Sequence, residues 1–568
     1  MTPFVLHILP AVPHRQDHSR DRFNTLAKAN GYAIQTLSDT MTSAFVRACP
    51  SVRRLGDWRL VGDLHPSCAT DWPSDPALRP EVIVQRCWGR YVGVEIGPDG
   101  RLKTVMRDPS GALDALVAEG PLGTIIASDP PDWALTAVGA TVRIDHAQVH
   151  QILHASHRAW DVSLLHGLTS VPAGAAVHWG DVPRVEQIWR PRAFVTDQIK
   201  ASADLDARVR DTVDHVVDRL ATGSGRLVAE LSGGLDSAIV AASLKRGGHP
   251  IKAWLHSFGA DPEGDERPFA QAMAETLGTE LDLLARRDRL LTQADLETLS
   301  VGVRPGFNAM DPINDAVAAD RLRRLGADRV FTGKGGDAVW LQAFGADVFR
   351  DLWRRQGARA LFSSTLVAAA RWEGRSVWSV LTGRPAALEP TPPASFLADL
   401  GGPPSPHPWL VDVEDLGPAK RFQILGLADA PCFSTPSRQA AVADLVHPLL
   451  TQPMMELCLS IPAEILAANR DRSLARRVFR DRLAPEIASR RSKGDLTAYY
   501  GRMISRSLGV LRPWILDGGL SQAGLIDRRR ADQMLTAEHL IWRGGYREIM
   551  LAATVESWWR RWRSRLAA

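Results

Sequence analysis

Residues Arg226 to Ser237, RLVAELSGGLDS, constrain the fold more than any other stretch of this 568-residue chain. Leu227, Val228, Ala229 and Leu231 make a short apolar run, the pattern of a buried strand. Gly233 and Gly234 then permit a tight turn and a close approach to a ligand. After Asp236 and Ser237, AIVAASLKR reads as a helix that stops at Gly247-Gly248. A strand, a glycine turn and a helix start together form an anion site, because free N–H groups and the positive helix end face one point. Ser232 and Ser237 add hydroxyl donors. Asp236 would repel a phosphate unless a cation sits between them, so it implies Mg²⁺.

The rest of the chain supplies a frame for this unit. Residues 1 to about 195 are β-rich: EVIVQRCWGRYVGVEIGPDGRLKTVMRD reads as strand, turn at Pro98-Asp99-Gly100, strand, with further short runs in GTIIASD and ATVRID. From about 200 the period changes. Leu205, Val209, Val213, Val216 and Val217 fall on one helix face, capped by Asp204 or Ser202. IKAWLHSFG is a second strand, PFAQAMAETLG a helix, and DRVFTGKGGD a strand entering another glycine turn. Such alternation argues for a parallel sheet covered on both faces, with ligands beyond the carboxyl ends of its strands. The Pro- and Gly-rich stretch 383–408 reads as a flexible loop or lid within the second domain. Helical patterns dominate from 410 onward. The terminal VESWWRRWRSRLAA is a basic amphipathic helix that packs its Trp residues on the body, docking to a partner being the alternative.

Composition excludes several classes. Apolar residues make up 45% and charged residues 23%, an ordinary soluble balance, and a net charge of +4 does not demand nucleic acid. No apolar run approaches membrane-spanning length, and MTPFVLHILPAVPHR lacks the basic start and cleavage site of a signal peptide. Five scattered cysteines without metal-ligand spacing point to a reduced cytoplasm. Only eight of 68 basic residues are lysines, a bias that fits a GC-rich bacterial genome; two of them, Lys334 and Lys493, fall inside motifs.

Thr332-Gly333-Lys334-Gly335-Gly336-Asp337 is a second glycine turn directly after a strand. Asp337 and Asp236 form a candidate Mg²⁺ pair, since Mg²⁺ often takes only one or two protein carboxylates beside phosphate and water. Ser-Gly-Gly-x-Asp-Ser resembles the pyrophosphate loop of ATP pyrophosphatases and lacks the Gly-Lys-Ser/Thr ending of a Walker loop. With the second loop, it resembles the synthetase domain of the asparagine synthetase group, which includes asparagine synthetases, β-lactam synthetases and lasso peptide cyclases. HPLLTQPMMELCLSIPAEIL (447–466) and RDRSLARRVFRDRLAPEIASRRSKG (470–494) are similar to later parts of that domain, and WGRYVGVEIGPDGRLKTVMRDPSG (88–111) to its amidotransferase sheet.

The resemblance implies two domains. Residues 1–195 would be a degenerate, Ntn-like amidotransferase sandwich, and residues 200–568 an ATP-pyrophosphatase domain with a doubly wound parallel sheet and added helices. It implies ATP as cosubstrate, with nucleotide contacts from Leu231, Ser232, Gly233, Gly234, Asp236, Ser237, Ser257, Thr332 and Gly333. Lys493 would reach the α-phosphate and the acyl centre, and Arg472 the pyrophosphate. Arg476, Arg477 and Arg480 read equally as a solvated face. Lys334 is a further catalytic candidate, although β-lactam synthetases carry Tyr and asparagine synthetases Glu there; phosphate contact or plain solvation are its alternatives. Glutamine-hydrolysing members expose a Cys at position 2, and this chain has Thr2 followed by Pro3. Without internally made ammonia the amine must come with the substrate, and the chain looks most like lasso peptide cyclases. Those join a precursor peptide's N-terminal amine to an Asp or Glu side chain, beside a leader-peptide-binding protein and a cysteine-protease partner. A small-molecule amide ligase and a non-catalytic ATP-binding scaffold are the competing readings.

Overall fold

The computed structural model describes residues 4–46, 51–67, 72, 78–196, 198–259, 264–382, 395–491, 494 and 496–567. Its N-terminal part is two six-stranded antiparallel sheets stacked face to face. One runs in the order 169–170, 116–120, 123–127, 4–8, 41–45, 33–38; the other in the order 184–187, 175–178, 102–107, 87–96, 58–66, 52–55. Strand alternation sorts the side chains. Phe4, Leu6 and Ile8 meet Val61, Val92, Val94 and Val105 between the sheets. Val5 points the other way, to a layer containing Phe23 and Trp133 from the helices Pro13–Ala29 and Asp132–Val138. The 87–96 and 102–107 hairpin forms as expected, but EVIVQR before it is a helix, Pro80–Arg86. Pro80 at the first helical position presets its φ and needs no donor there. ATVRID gives only the two-residue strand Arg143–Ile144.

The C-terminal part is built on five parallel strands: β1 (Leu227–Glu230), β2 (Ile251–Phe258), β3 (Leu281–Ala285), β4 (Arg329–Phe331) and β5 (Asp444–Val446), ordered β3-β2-β1-β4-β5. Both faces are buried, which is why β1 reads as a continuous apolar run. Val228, Leu255, Val330 and Leu445 pack on Leu322 of one helix layer. Leu227, Ala229, Trp254 and Phe331 pack on the other, formed by α1 (Ala203–Ala221), α2 (Leu235–Arg246) and α3 (Arg267–Leu277). Ser202 caps α1, its hydroxyl accepting from Leu205 N at 3.1 Å, and the five predicted face residues are all buried.

The same core runs on into the sandwich, where Trp58, Trp88 and Tyr91 join Val213 and Val217. A buried charge cluster ties the halves: Arg90 donates to Asp444 Oδ2 at 2.8 Å and also binds Asp63, which accepts from Arg329 at 2.9 Å. Residues 395–408 are not a loose lid. Phe396 is fully buried, its amide donating to Glu548, and His407 pairs with Asp161 at 2.6 Å with both side chains 3% exposed. Residues 383–394 lie outside the described residues. The last helix, Tyr546–Ala567, buries Trp558, Trp559 and Trp562, as its amphipathic pattern requires. No helix among the described residues is long and apolar enough to cross a membrane.

Candidate active site

Strand order reverses between β1, with β2 and β3 on one side, and β4, with β5 on the other, so a crevice opens beyond their carboxyl ends. The two glycine loops leave β1 and β4 at this point. Their contact explains the glycines. A Cβ on Gly333 would lie 2.6 Å from the carbonyl carbon of Asp236 and the Cα of Ser237, and one on Gly336 would lie 2.5 Å from Asp236 Cβ. Glycine at 333 lets the two backbones touch, and glycine at 336 leaves room for the Asp236 side chain. Ser237 Oγ accepts from Ser232 N at 3.1 Å and lies 2.9 Å from Ser232 Oγ, which closes the first loop on itself. Asp236 then sits in the first turn of α2, at the positive end of a helix of twelve residues.

The crevice is a cavity of about 700 Å³. Ser232, Gly234, Asp236 and Ser237 line it from the first loop, and Gly333, Lys334, Gly335 and Asp337 from the second. Arg472 Nη1 bridges the carboxylates, 2.7 Å from Asp236 Oδ2 and 2.8 Å from Asp337 Oδ1. Burial alone would make Arg472 easier to deprotonate, but Asp236, Asp337 and Asp471 outweigh it and raise its pKa above the ordinary value. One turn along the helix Ser473–Val478 comes Arg476, also lining the cavity, its pKa lowered to about 10 by burial and by Arg470. Arg477 and Arg480 face outward, so the basic run divides by helical period.

Lys334 Nζ donates to Asn308 Oδ1 at 3.0 Å and lies 5.5 Å from the centre of the Phe433 ring. Its own amide donates to Thr332 Oγ1, which lies 2.8 Å from His447 Nδ1. His447 Nε2 faces the Phe433 carbonyl at 3.2 Å and must carry the ring proton, so Nδ1 accepts from the Thr332 hydroxyl. Burial, and then Lys334, lower the His447 pKa to about 3, which keeps the ring neutral.

Four expected contact residues do not line the cavity. The Leu231 side chain is in the core, and its carbonyl lies 2.9 Å from His256 Nδ1. Gly233 turns beneath Glu266, and its carbonyl accepts from Arg490. Thr332 spends its hydroxyl on the network below Lys334, and Ser257 lies further along β2. Lys493 and Thr2 lie outside the described residues. Arg490 and Gly494, either side of Lys493, both bind Glu266 on the cavity wall, at 2.6 and 3.2 Å. Sequence reasoning missed Glu266, Arg490, Gln342, Phe422 and Phe433 in this wall. Of these only Arg490 carried a signal, as part of the quoted basic stretch.

A doubly wound sheet with two glycine loops, paired carboxylates and arginines at its switch point defines a phosphate-binding α/β protein. Residues 208–424 and 431–560 match the asparagine synthase family. That is more than half of the chain, which therefore belongs to this family of ATP-dependent carbon–nitrogen ligases. No curated protein matches the chain. Among solved structures it is similar to the allosteric regulatory enzyme of purine biosynthesis, at 12% identity over 58% of this chain and 74% of that one, with a TM-score of 0.20. It is also similar to glutamine phosphoribosylpyrophosphate amidotransferase from B. subtilis complexed with ADP and GMP, at 12% identity over 59% and 81%, with a TM-score of 0.19.

Proposed function

We propose that this enzyme adenylates the side-chain carboxylate of an Asp or Glu in a precursor peptide and closes a macrolactam with the peptide's N-terminal amine, as lasso peptide cyclases do. The observation that carries the ATP-dependent part is the meeting of both glycine loops, Asp236, Asp337 and Arg472 at one cavity. The volume of about 700 Å³ suits a nucleotide together with part of an acyl substrate. The peptide part rests on the sequence. Thr2 stands where glutamine-hydrolysing members carry a nucleophilic Cys; on this reading the amine arrives with the substrate, and the N-terminal sandwich is a degenerate, Ntn-like amidotransferase domain. Its helix–sheet–sheet layering supports that reading.

Asp236 and Asp337 fit a Mg²⁺–nucleotide complex better than a site built wholly of protein. Among the described residues no group of three or more His, Cys, Asp or Glu could hold a metal ion. Two carboxylates converging on one cationic nitrogen match the one or two that Mg²⁺ takes beside phosphate and water. Bound there, the metal would neutralise phosphate charge. The chain's own groups do the rest. The α2 start and the Ser232 and Ser237 hydroxyls face the phosphates, Arg472 and Arg476 balance the pyrophosphate, and Lys493 steadies charge at the acyl centre. Adenylation converts the carboxylate oxygen to an AMP leaving group, and holding amine and acyl group together makes ring closure effectively unimolecular. A leader-peptide-binding protein and a cysteine protease are the proposed partners, and the cytoplasm the proposed compartment.

The test is to supply ATP, Mg²⁺ and a leaderless peptide encoded beside this gene, carrying Asp or Glu a short way in. The expected product is lighter by one water, with AMP and pyrophosphate in equal amounts. Amidation of free aspartate without any cyclised peptide would instead establish a small-molecule ligase. Glutamine hydrolysis that vanishes in Thr2→Ala would overturn the degenerate-domain reading.

A further inference from the structure

The guanidinium of Arg472 stands where a cation shared by Asp236 and Asp337 would stand. A single nitrogen, Nη1, reaches both carboxylates, and Nε donates to Asp471 at 2.9 Å. The side chain is 5% exposed. A second feature marks the same residue. Arg472 has a left-handed backbone, φ 51°, and among the described residues only Leu341 shares a positive φ without being glycine. The two strained residues are bonded to each other, the Arg472 amide donating to the Leu341 carbonyl at 3.4 Å. Side chains rarely adopt this conformation, and it persists where the surroundings over-determine it. Here it aims the guanidinium at the gap between the loops.

We infer that Arg472 is a resident counter-ion of this metal site. It holds the two carboxylates together in the nucleotide-free protein and must release at least one of them before a divalent cation takes the pair. The inference rests on reading Asp236 and Asp337 as metal ligands. Two carboxylates drawn together, with the Asp236 side chain largely buried and that of Asp337 partly exposed, repel unless a positive charge stands between them. A guanidinium supplies it with fixed, weakly hydrated donors. Yet an ion bound at about 2.0–2.1 Å to carboxylate oxygens cannot share that gap with a second cation. The free metal should therefore bind poorly. A nucleotide changes the balance, because its phosphates offer Arg472 the forked acceptor that a guanidinium favours. Metal entry is thus coupled to nucleotide entry through one side chain.

Mn²⁺ binding to the full-length, nucleotide-free protein, followed by the paramagnetic resonance of the free ion, tests this. Arg472→Met should bind Mn²⁺ at least about tenfold more tightly than wild type, equivalent to relieving one modest ionic competitor. Arg472→Lys keeps a charge and serves if the neutral variant does not fold. Its ammonium can still face both carboxylates but lacks the Nε anchor to Asp471, so a smaller gain, roughly threefold, is expected. An arginine that merely braced the loops would, on removal, loosen the ligands. Unchanged or weaker Mn²⁺ binding in the folded variant overturns the inference. Mn²⁺ bound alongside a non-hydrolysable ATP analogue, and lost in Asp236→Asn, reports separately on the metal-ligand reading.

Discussion

Replacing Gly333 by alanine would put a methyl group at the point where the two glycine loops touch. The new Cβ would fall 2.6 Å from Asp236 C and Ser237 Cα, and closer still to the Ser237 amide. Favourable carbon contacts lie at about 3.5 Å or more, so the loops must part by roughly 1 Å. No side chain can swing aside, because both neighbours are backbone in the first turn of α2. Overpacking of this kind costs about 1–3 kcal/mol of stability. The larger effect falls on chemistry. A misplacement of about 1 Å between groups that act together costs on the order of 10²-fold in rate. ATP–pyrophosphate exchange should therefore fall about a hundredfold while thermal unfolding shows a folded protein. Gly180→Ala is the control, since a Cβ there meets nothing within 4 Å. A folded Gly333→Ala with nearly wild-type exchange would refute the claim that loop contact sets the site.

Asp236→Ala and Asp337→Ala should each abolish pyrophosphate exchange with the fold intact, since loss of a charge partner in a phosphate site costs several kcal/mol of transition-state stabilisation; wild-type exchange in either would remove that residue from the site. His447→Gln tests the network under Lys334. The folded-state pKa of about 3 lies below the ordinary 6.5, so this neutral ring contributes full stability above pH 6.5 and loses it as pH falls toward 3. The loss approaches about 1.4 kcal/mol per pH unit. The stability gap between wild type and His447→Gln should therefore narrow on acidification, and denaturation curves that stay parallel would contradict the assignment. Lys493→Ala should lose turnover far more than ATP binding, and Lys493→Arg should rescue poorly, because a planar fork replaces a compact ammonium badly at one oxygen. Equal losses in binding and turnover would refute a transition-state role.

What could be read from the chain alone was local. Ser232 to Ser237 declares itself because strand, turn and helix start are consecutive, and α1 because its valines repeat every third or fourth residue. The sheet was legible from alternation, and its switch point follows once β4 carries a second glycine loop. What stayed hidden depends on chain distant in sequence. Nothing around Arg472 says that it bridges Asp236 and Asp337, nor around Lys334 that Asn308 holds it. EVIVQR misled because a short β-branched run suits either period, and Pro80 decided for helix. At the described end of the Pro-rich segment, 395–408, composition speaks of backbone freedom, whereas Phe396 and His407 find buried partners far away in sequence.

Activation of a carboxylate as its adenylate is the step on which the proposed amide formation turns. The direct measurement labels the Asp or Glu side-chain carboxylate of the peptide with oxygen-18, runs a single turnover with ATP and Mg²⁺, and weighs the nucleotide. One heavy oxygen should appear in AMP and none in pyrophosphate, because the bond between that oxygen and the α-phosphorus survives when the amine displaces it from the acyl carbon. Label found in inorganic phosphate beside ADP, or AMP left unlabelled while the amide forms, would contradict it.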